Sequence, residues 1–266
     1  MSGTVAFETG AGRAILGDGL AELSRLPAGA CSLLVTSPPF DGPPDLQGDD
    51  PRIVEWLLAL MRAASHAVAP HGSAVMELGT TWSGAGNARK TTVFDFVSEL
   101  CRRTDWRLRR EFYWYNPRFL TDASVPAMSG DGGFADCVTM VFWFSRSATP
   151  RARPGGVRGA YGSLVTAGGN FLTLDDGPDD AEYLDRCARA GLDATRDRFP
   201  ETLPAYFIEL LSEPSDLVVD PCGGTCATGA AAERLGRRWI CIDVNRGALG
   251  AARLRFPRAE RPAHWC

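Results

Sequence analysis

An α/β domain built around a parallel sheet is the fold class that these 266 residues predict. Three features predict it. Short apolar runs alternate along the chain with stretches at helical spacing, the order of a sheet covered by helices. Between Asp216 and Asp243 a strand, a glycine loop, an Ala-rich helix, a second strand and an acid follow one another. An earlier apolar run, Cys31–Val35, leads directly into Thr36-Ser37-Pro38-Pro39-Phe40.

Taken in chain order, Val5–Phe7 and Ala14–Leu16 read as short strands and Gly19–Leu26 as a helix. Leu33–Thr36 reads as a buried strand. Asp41–Asp50 is rich in Pro, Gly and Asp, a loop by composition. Pro51–Val68 carries apolar residues at helical spacing, with Arg52 and Glu55 on a polar face, and Pro70-His71-Gly72 breaks it. Ser73–Gly79 returns to a strand pattern. Thr80–Arg89 is a polar, Gly-rich loop, and Thr92–Arg103 is helical. Trp106–Tyr115 and Cys137–Phe144 alternate or run apolar-aromatic, as strands do. Pro117–Phe134 and Thr149–Gly169 are Pro/Gly-rich, without periodicity, and read as loops. Ala181–Ala190 and Ala205–Leu211 read as helices. Asp216–Asp220, Ala230–Leu235 and Arg238–Ile242 complete the strand–helix–strand unit. There is no internal repeat and no low-complexity tract.

Two loops carry chemistry. The first follows Thr36. Pro38 and Pro39 have fixed φ and no N–H, so their carbonyls are expected to point outward with nothing local to bond. Ser37 adds a hydroxyl and Phe40 a flat apolar face. The four residues can accept hydrogen bonds from an amino group and stack on a ring. The plainer alternative is a stiff strand-to-loop turn. The second loop is Pro221-Cys222-Gly223-Gly224-Thr225-Cys226-Ala227-Thr228-Gly229. Its glycines let a ligand approach the backbone, and an acid at the end of the second strand, Asp243, suits ribose hydroxyls. The Gly-Gly-Thr order lacks the pyrophosphate spacing of the dinucleotide fingerprint.

These two loops resemble the motifs of amino-methylating DNA methyltransferases. Ser37-Pro38-Pro39-Phe40 is similar to the catalytic motif in the serine form of the N4-cytosine branch; the N6-adenine branch more often has Asp there. Asp220–Gly229 resembles the cofactor loop Asp-Pro-Phe-x-Gly-Ser-Asn-Thr-Thr-Gly. Cys222 replaces its Phe, Thr225 its Ser, Cys226 its Asn or Gly and Ala227 its Thr, which puts the cofactor pose in question. Leu16–Leu20 is similar to the family's Gly-Asp-x-Leu start, and Arg198–Leu211 to the segment before the cofactor loop. Catalytic motif first and cofactor motif last is the permuted, β-type order. The resemblance covers most of the chain. It implies a Rossmann-like methyltransferase fold in one domain, with a loop-rich target-recognition segment at about 146–195. It implies S-adenosylmethionine as cofactor and double-stranded DNA as substrate. It assigns Ser37, Pro38, Pro39 and Phe40 to catalysis, and Asp18, Thr36, Thr202, Leu203, Asp220, Pro221, Gly224, Thr225 and Asp243 to the cofactor.

Charge is distributed unevenly. Net charge is −4, yet residues 101–160 hold ten Arg against five acids, and the first hundred hold eleven acids against six bases. A basic segment facing phosphates suits duplex binding, and Arg118, Arg151, Arg153 and Arg158 are candidates for DNA contact. Many of the Arg side chains are equally explained as solvated faces. No apolar stretch approaches the roughly 20 residues of a membrane span, and the N-terminus lacks a basic start and apolar core, so no secretion signal is expected. Eight scattered cysteines show no metal spacing. The expected setting is a cytoplasmic, nucleoid-associated enzyme, monomer or homodimer, which could be paired with a restriction endonuclease for the same site. Three rivals stay open. Pro221-Cys222 supplies the dipeptide of a C5-cytosine enzyme, but in the wrong loop and without a Glu-Asn-Val partner. The others are an adenine-N6 enzyme and a nucleic-acid-binding module that has lost its cofactor.

Overall fold

The computed structural model describes residues 2–43, 46, 51–79, 88–115, 137–161, 169–192 and 198–259, with the backbone alone at 158–160. The strands are β1 (Thr4–Glu8), β2 (Gly12–Leu16), β3 (Cys31–Thr36), β4 (Val68–Leu78), β5 (Arg107–Tyr115), β6 (Val138–Ser145), β7 (Phe171–Leu172), β8 (Leu217–Asp220) and β9 (Arg238–Asp243). They form one sheet in the order β1-β2-β9-β8-β3-β4-β6-β5-β7. The five central strands from β2 to β4 are parallel. β6 runs antiparallel to β4 and β5, and β1 antiparallel to β2.

The helices are α1 (Gly19–Arg25), α2 (Arg52–Ala67), α3 (Thr92–Arg103), α4 (Pro154–Ala160), α5 (Pro178–Arg189), α6 (Thr202–Leu211), α7 (Ala227–Arg234) and α8 (Arg246–Ala252), with a 3-10 turn at Arg253–Arg255. Successive strand residues point to opposite faces, so Leu34 and Val35 enter different cores. Leu34, Met76, Phe144 and Ile242 pack with Leu58 and Met61 of α2 and Phe96 of α3. Val35, Val75, Phe112 and Trp239 pack with Phe207 of α6 and Leu249 of α8. Burial on both faces explains why the central strands are apolar runs without alternation.

Two expectations need correction, and two elements were not foreseen. Pro70-His71-Gly72 does not end a helix ahead of a separate strand; it lies inside β4. The register jumps from Cys31↔Val68 to Leu33↔Ser73, so the extra residues bulge out and the proline costs no ladder bond. Within the expected loop at 149–169, Pro154–Ala160 is helical, with Pro154 in the first turn, where a missing N–H is harmless. Phe171–Leu172 adds a strand beside β5. A further helix, α8, follows Asp243; Asn245 caps it by accepting from the Ala248 N–H at 3.1 Å. The loops expected at 41–50, 80–89 and 117–134 lie wholly or mostly outside the described residues.

The connectivity fixes where a ligand fits. From β3 the chain passes through α2 to β4 on one side; from β8 it passes through α7 to β9 on the other. Between β3 and β8 the two windings part, which opens a crevice at the carboxyl ends of the strands.

Candidate active site

Ser37 leaves the end of β3 on one side of that crevice. Its hydroxyl donates to Oε2 of Glu77 at 2.5 Å. Glu77 sits near the end of the adjacent strand β4, opposite Val141 of β6, and is buried. Burial pushes its carboxyl up to about 7, against the lowering effect of the Ser37 and Thr139 hydroxyls. Pro38 is buried and Pro39 exposed. The expectation that both proline carbonyls lack local partners holds only in part. The Pro39 carbonyl accepts the Gly42 N–H at 3.0 Å in a tight turn, whereas the Pro38 carbonyl has no such bond among the described residues. The Phe40 ring lies against Gly79 at the end of β4; a Cβ there would stand 2.3 Å from the ring. Asp41, next in line, is paired with Lys90 at 2.7 Å.

On the other side stands the glycine loop, pinned at several backbone groups. Asp220 is buried at the end of β8 and accepts from Thr228 Oγ1 at 2.7 Å and from the Cys222 N–H at 3.1 Å. Burial pushes its carboxyl up to about 6, and the Thr228 and Thr36 hydroxyls oppose the rise. Thr36 Oγ1 is itself buried beside Asp220 and Cys222, without a hydrogen bond of good geometry. Gly223 N–H donates to the Ile242 carbonyl at 2.8 Å, and Cys226 N–H to the Gly223 carbonyl at 2.6 Å. Asp243 takes the Gly224 N–H at 2.7 Å on Oδ2 and the Asn245 N–H at 2.7 Å on Oδ1. Gly229 lets α7 approach β9: a Cβ there would meet the Trp239 ring at 2.8 Å and Cys241 Sγ at 3.0 Å.

The other expected cofactor residues fare differently. Asp18 is exposed and caps α1, accepting from the Ala21 N–H at 2.7 Å, and it is close enough to help raise the Cys222 thiol. Gly19 seats this turn on the Pro221 carbonyl, which would be 2.1 Å from an added Cβ. Thr225 is half-buried, and its carbonyl accepts from Arg255 Nε at 3.0 Å. Thr202 and Leu203 open α6, with their side chains turned to other partners. The Thr202 hydroxyl donates to the Asp175 carbonyl at 2.7 Å, and Leu203 is a core residue, 2% exposed, where α6 packs on the sheet. The fold therefore gathers Asp18, Thr36, Ser37, Asp220, Pro221, Gly224, Thr225 and Asp243 along one edge.

Two of the arginines expected to meet DNA, Arg151 and Arg153, do not join them. Arg151 donates to Asp216 at 2.7 Å and contacts His71 Nε2 at 3.3 Å. Asp216 precedes the start of β8, so this pair lies at the opposite edge of the sheet from Ser37. Arg153 is exposed, and its N–H donates to the Leu210 carbonyl at 2.7 Å, at the end of α6 on that same far edge. Arg118 and the side chain of Arg158 lie outside the described residues.

Three residues escaped the sequence reading. Glu77 was hidden as one acid in an apolar strand; its position near the strand end, beside the Ser37 strand, was the available signal. Val244 follows Asp243 and is 63% exposed, the most exposed large apolar side chain among the described residues. Arg255 comes from the far end of the chain, with no local motif. Cys222, in contrast, was singled out. Burial and the carboxylates of Asp220, Asp243 and Asp18 hold its thiol far above the usual range, so it stays protonated.

A switch-point crevice with a pinned glycine loop on one side and a serine–proline loop on the other defines a group-transfer enzyme. One loop suits a nucleoside-bearing donor, the other an acceptor with an amino group. Residues 31–253 match the model of the N6/N4-type DNA methylases, and the chain belongs to that family. It is 29% identical to the type II methyltransferase M.PvuII of Proteus hauseri, over 94% of this chain and 85% of that one. The solved PvuII DNA methyltransferase, described as cytosine-N4-specific, superposes with a TM-score of 0.83 over 96% of this chain and 90% of its own. The DNA adenine methyltransferase YhdJ of Escherichia coli K12 is 23% identical over 87% of this chain and 78% of its own. A modification methylase from Thermus thermophilus, TTHA0409, solved with S-adenosyl-L-methionine, shares the fold: TM-score 0.66 at 17% identity, over 91% of this chain and 92% of that one.

Proposed function

We propose that this DNA methylase transfers a methyl group from S-adenosylmethionine to N4 of a cytosine flipped out of duplex DNA. One observation carries the choice of an exocyclic amine as acceptor, and the likeness to the cytosine-N4-specific PvuII enzyme supports cytosine. The Ser37 proton is committed to Glu77, so Oγ presents lone pairs to the crevice. With the Pro38 carbonyl it forms two acceptors for the two N–H bonds of an exocyclic amine.

The glycine loop fits the cofactor. The N–H groups of Gly223, Gly224 and Cys226 are all bonded within the protein, so the loop offers no nest of free donors for a pyrophosphate. Asp18 and Asp243 suit hydroxyl and ammonium groups, and exposed Val244 offers an apolar surface to a flat ring. S-adenosylmethionine supplies the methyl group on a positively charged sulfur. The protein's part is positioning. Hydrogen bonds to Ser37 and Pro38 draw the amine out of conjugation with its ring, Phe40 stacks on the base, and attack is in line. The proton released from nitrogen has a path through Ser37 to Glu77, whose burial makes it a competent acceptor near neutral pH.

The segment 146–195 is the place for target reading, and a restriction endonuclease acting at the same site fits as a partner. Among the described residues no helix is long and apolar enough to cross a membrane. The test is to methylate unmodified DNA with the purified enzyme, digest it to nucleosides and weigh the product. N4-methylcytosine is expected. N6-methyladenine would move the enzyme to the adenine branch, and 5-methylcytosine would overturn the mechanism.

A further inference from the structure

The glycine loop is tied to the far end of the chain by one side chain. Arg255 Nε donates to the Thr225 carbonyl at 3.0 Å. Its Nη1 donates to Asp180 Oδ1 at 3.1 Å and reaches Glu201 Oε2 at 3.4 Å. The guanidinium lies 3.8 Å from the centre of the Tyr183 ring. Asp180 is fully buried and is itself held by Arg198 Nη1 at 3.0 Å and the Glu201 N–H at 2.8 Å. The buried cluster thus fixes the guanidinium from α5, from the segment before α6 and from the aromatic ring at once.

The loop has a use for so rigid a partner. Gly224 (φ 49°) and Cys226 (φ 54°) flank Thr225 in left-handed backbone conformation, and a residue with a side chain adopts it only under constraint. Asp243 fixes the Gly224 N–H, and the Gly223 carbonyl fixes the Cys226 N–H. Between them stands the peptide of Thr225, whose carbonyl is held by Arg255. The Thr225–Cys226 peptide is thus held at both ends, its N–H by Gly223 and its carbonyl by Arg255, and loss of the Arg255 bond leaves the left-handed turn on one anchor.

We propose that Arg255 is a positioning residue for the cofactor: through the Thr225 carbonyl it holds the glycine loop in its binding shape before the ligand arrives. The proposal rests on reading this loop as the S-adenosylmethionine site. Such preorganisation affects affinity without contact to the ligand. It also makes helix α5, which contributes Asp180 and Tyr183, a mechanical support of the loop.

Arg255→Lys keeps a positive charge near Asp180 but loses the fork that reaches Asp180 and Thr225 together. Calorimetry is expected to show S-adenosylmethionine binding weakened roughly tenfold, the scale of one lost charge-assisted bond. KM for the cofactor should rise by the same factor, while kcat at saturating cofactor and KM for DNA stay within about twofold. Arg198→Lys is the control: it cuts the other guanidinium from Asp180 without touching Thr225, and should lower Tm yet keep wild-type cofactor affinity. Wild-type affinity in Arg255→Lys, or an equal loss in Arg198→Lys, overturns the positioning role. Should Arg255→Lys not fold, Arg255→Gln carries the same comparison. Wild-type protein that binds no S-adenosylmethionine would instead overturn the reading of the site itself.

Discussion

The two loops that face each other across the β3–β8 crevice are made rigid by opposite means. The Ser37–Phe40 loop carries its stiffness in its own composition: two prolines fix φ, and a short turn closes on the Pro39 carbonyl. The loop at Gly223–Cys226 is intrinsically loose, with left-handed residues at Gly224 and Cys226. It is held by groups from elsewhere: the Ile242 carbonyl, the Asp243 carboxylate and the Arg255 guanidinium. Under the proposed assignment of the two loops, the difference follows the ligands. A base that swings in from DNA needs fixed acceptors in the open, which prolines provide. A cofactor that lies along the backbone needs glycines, and their freedom must then be restrained from outside.

Replacing the acceptor in the stiff loop is expected to have the largest effect on turnover. Ser37→Ala leaves both prolines and the turn in place, so folding and cofactor affinity should be near wild type. Methyl transfer should fall roughly 10²–10³-fold, as for the loss of one preorganised bond at the reacting centre. Single-turnover assays with radiolabelled cofactor measure it; turnover near that of wild type would remove Ser37 from the mechanism.

Glu77→Gln comes next, with turnover reduced on the order of 10²-fold if the residue accepts the proton. Its pH dependence separates chemistry from stability. Burial raises the Glu77 carboxyl from 4.5 to about 7, so the fold favours its protonated form. That contribution to stability is complete below the unfolded value and is lost as pH rises through about 7. Asp220, raised to about 6, adds the same sign. Turnover needs the Glu77 carboxylate and should rise over the same interval in which Tm falls. In Glu77→Gln the turnover step near pH 7 should vanish, and the fall in Tm should shrink to the part due to Asp220 and to Glu201, whose carboxyl burial also raises. A turnover step that survives the substitution belongs to another group.

What the chain disclosed in advance follows the same contrast. The stiff loop was legible because its signal is contiguous: an apolar run, a serine, two prolines and an aromatic ring. The strand–glycine loop–helix–strand unit was legible for the same reason, as was Asp243 at its end. The restraints were not. Glu77 is 40 residues from Ser37 and Arg255 is 30 from Thr225, and neither spacing has a local pattern. The bulge at Pro70-His71-Gly72 looked like a break because a proline's tolerance depends on the neighbouring strand. Arg151 looked like a DNA contact because charge can be counted in sequence, whereas its partner Asp216, 65 residues away, cannot be seen there.

On the loose side, Asp243→Ala should weaken S-adenosylmethionine binding by about 1–3 kcal/mol in calorimetry, the range for a bond to a charged group. The structure adds a second cause to the ribose contact, since the carboxylate also anchors the Gly224 N–H. DNA affinity measured without cofactor should not change. Equal cofactor affinity in both proteins would show that Asp243 neither meets the ribose nor shapes the loop.

Cys222→Ser should have the smallest effect, and for that reason it decides most sharply between the loops as the seat of chemistry. A C5-cytosine mechanism needs a thiolate at Cys222 to add to the base. The environment opposes one: burial raises the thiol of this half-buried residue, and the carboxylates of Asp220, Asp243 and Asp18 raise it further. Its side chain also belongs to the cofactor side of the crevice, while the acceptor pair Ser37–Glu77 stands across from it. A serine there is close to isosteric and should preserve methylation to within a few-fold, since volume-conserving changes cost little. DNA carrying 5-fluorocytosine should form no denaturation-resistant complex with the wild-type enzyme. An adduct that appears with the wild type and is lost in Cys222→Ser would place the nucleophile in the glycine loop and reverse the roles assigned to the two sides.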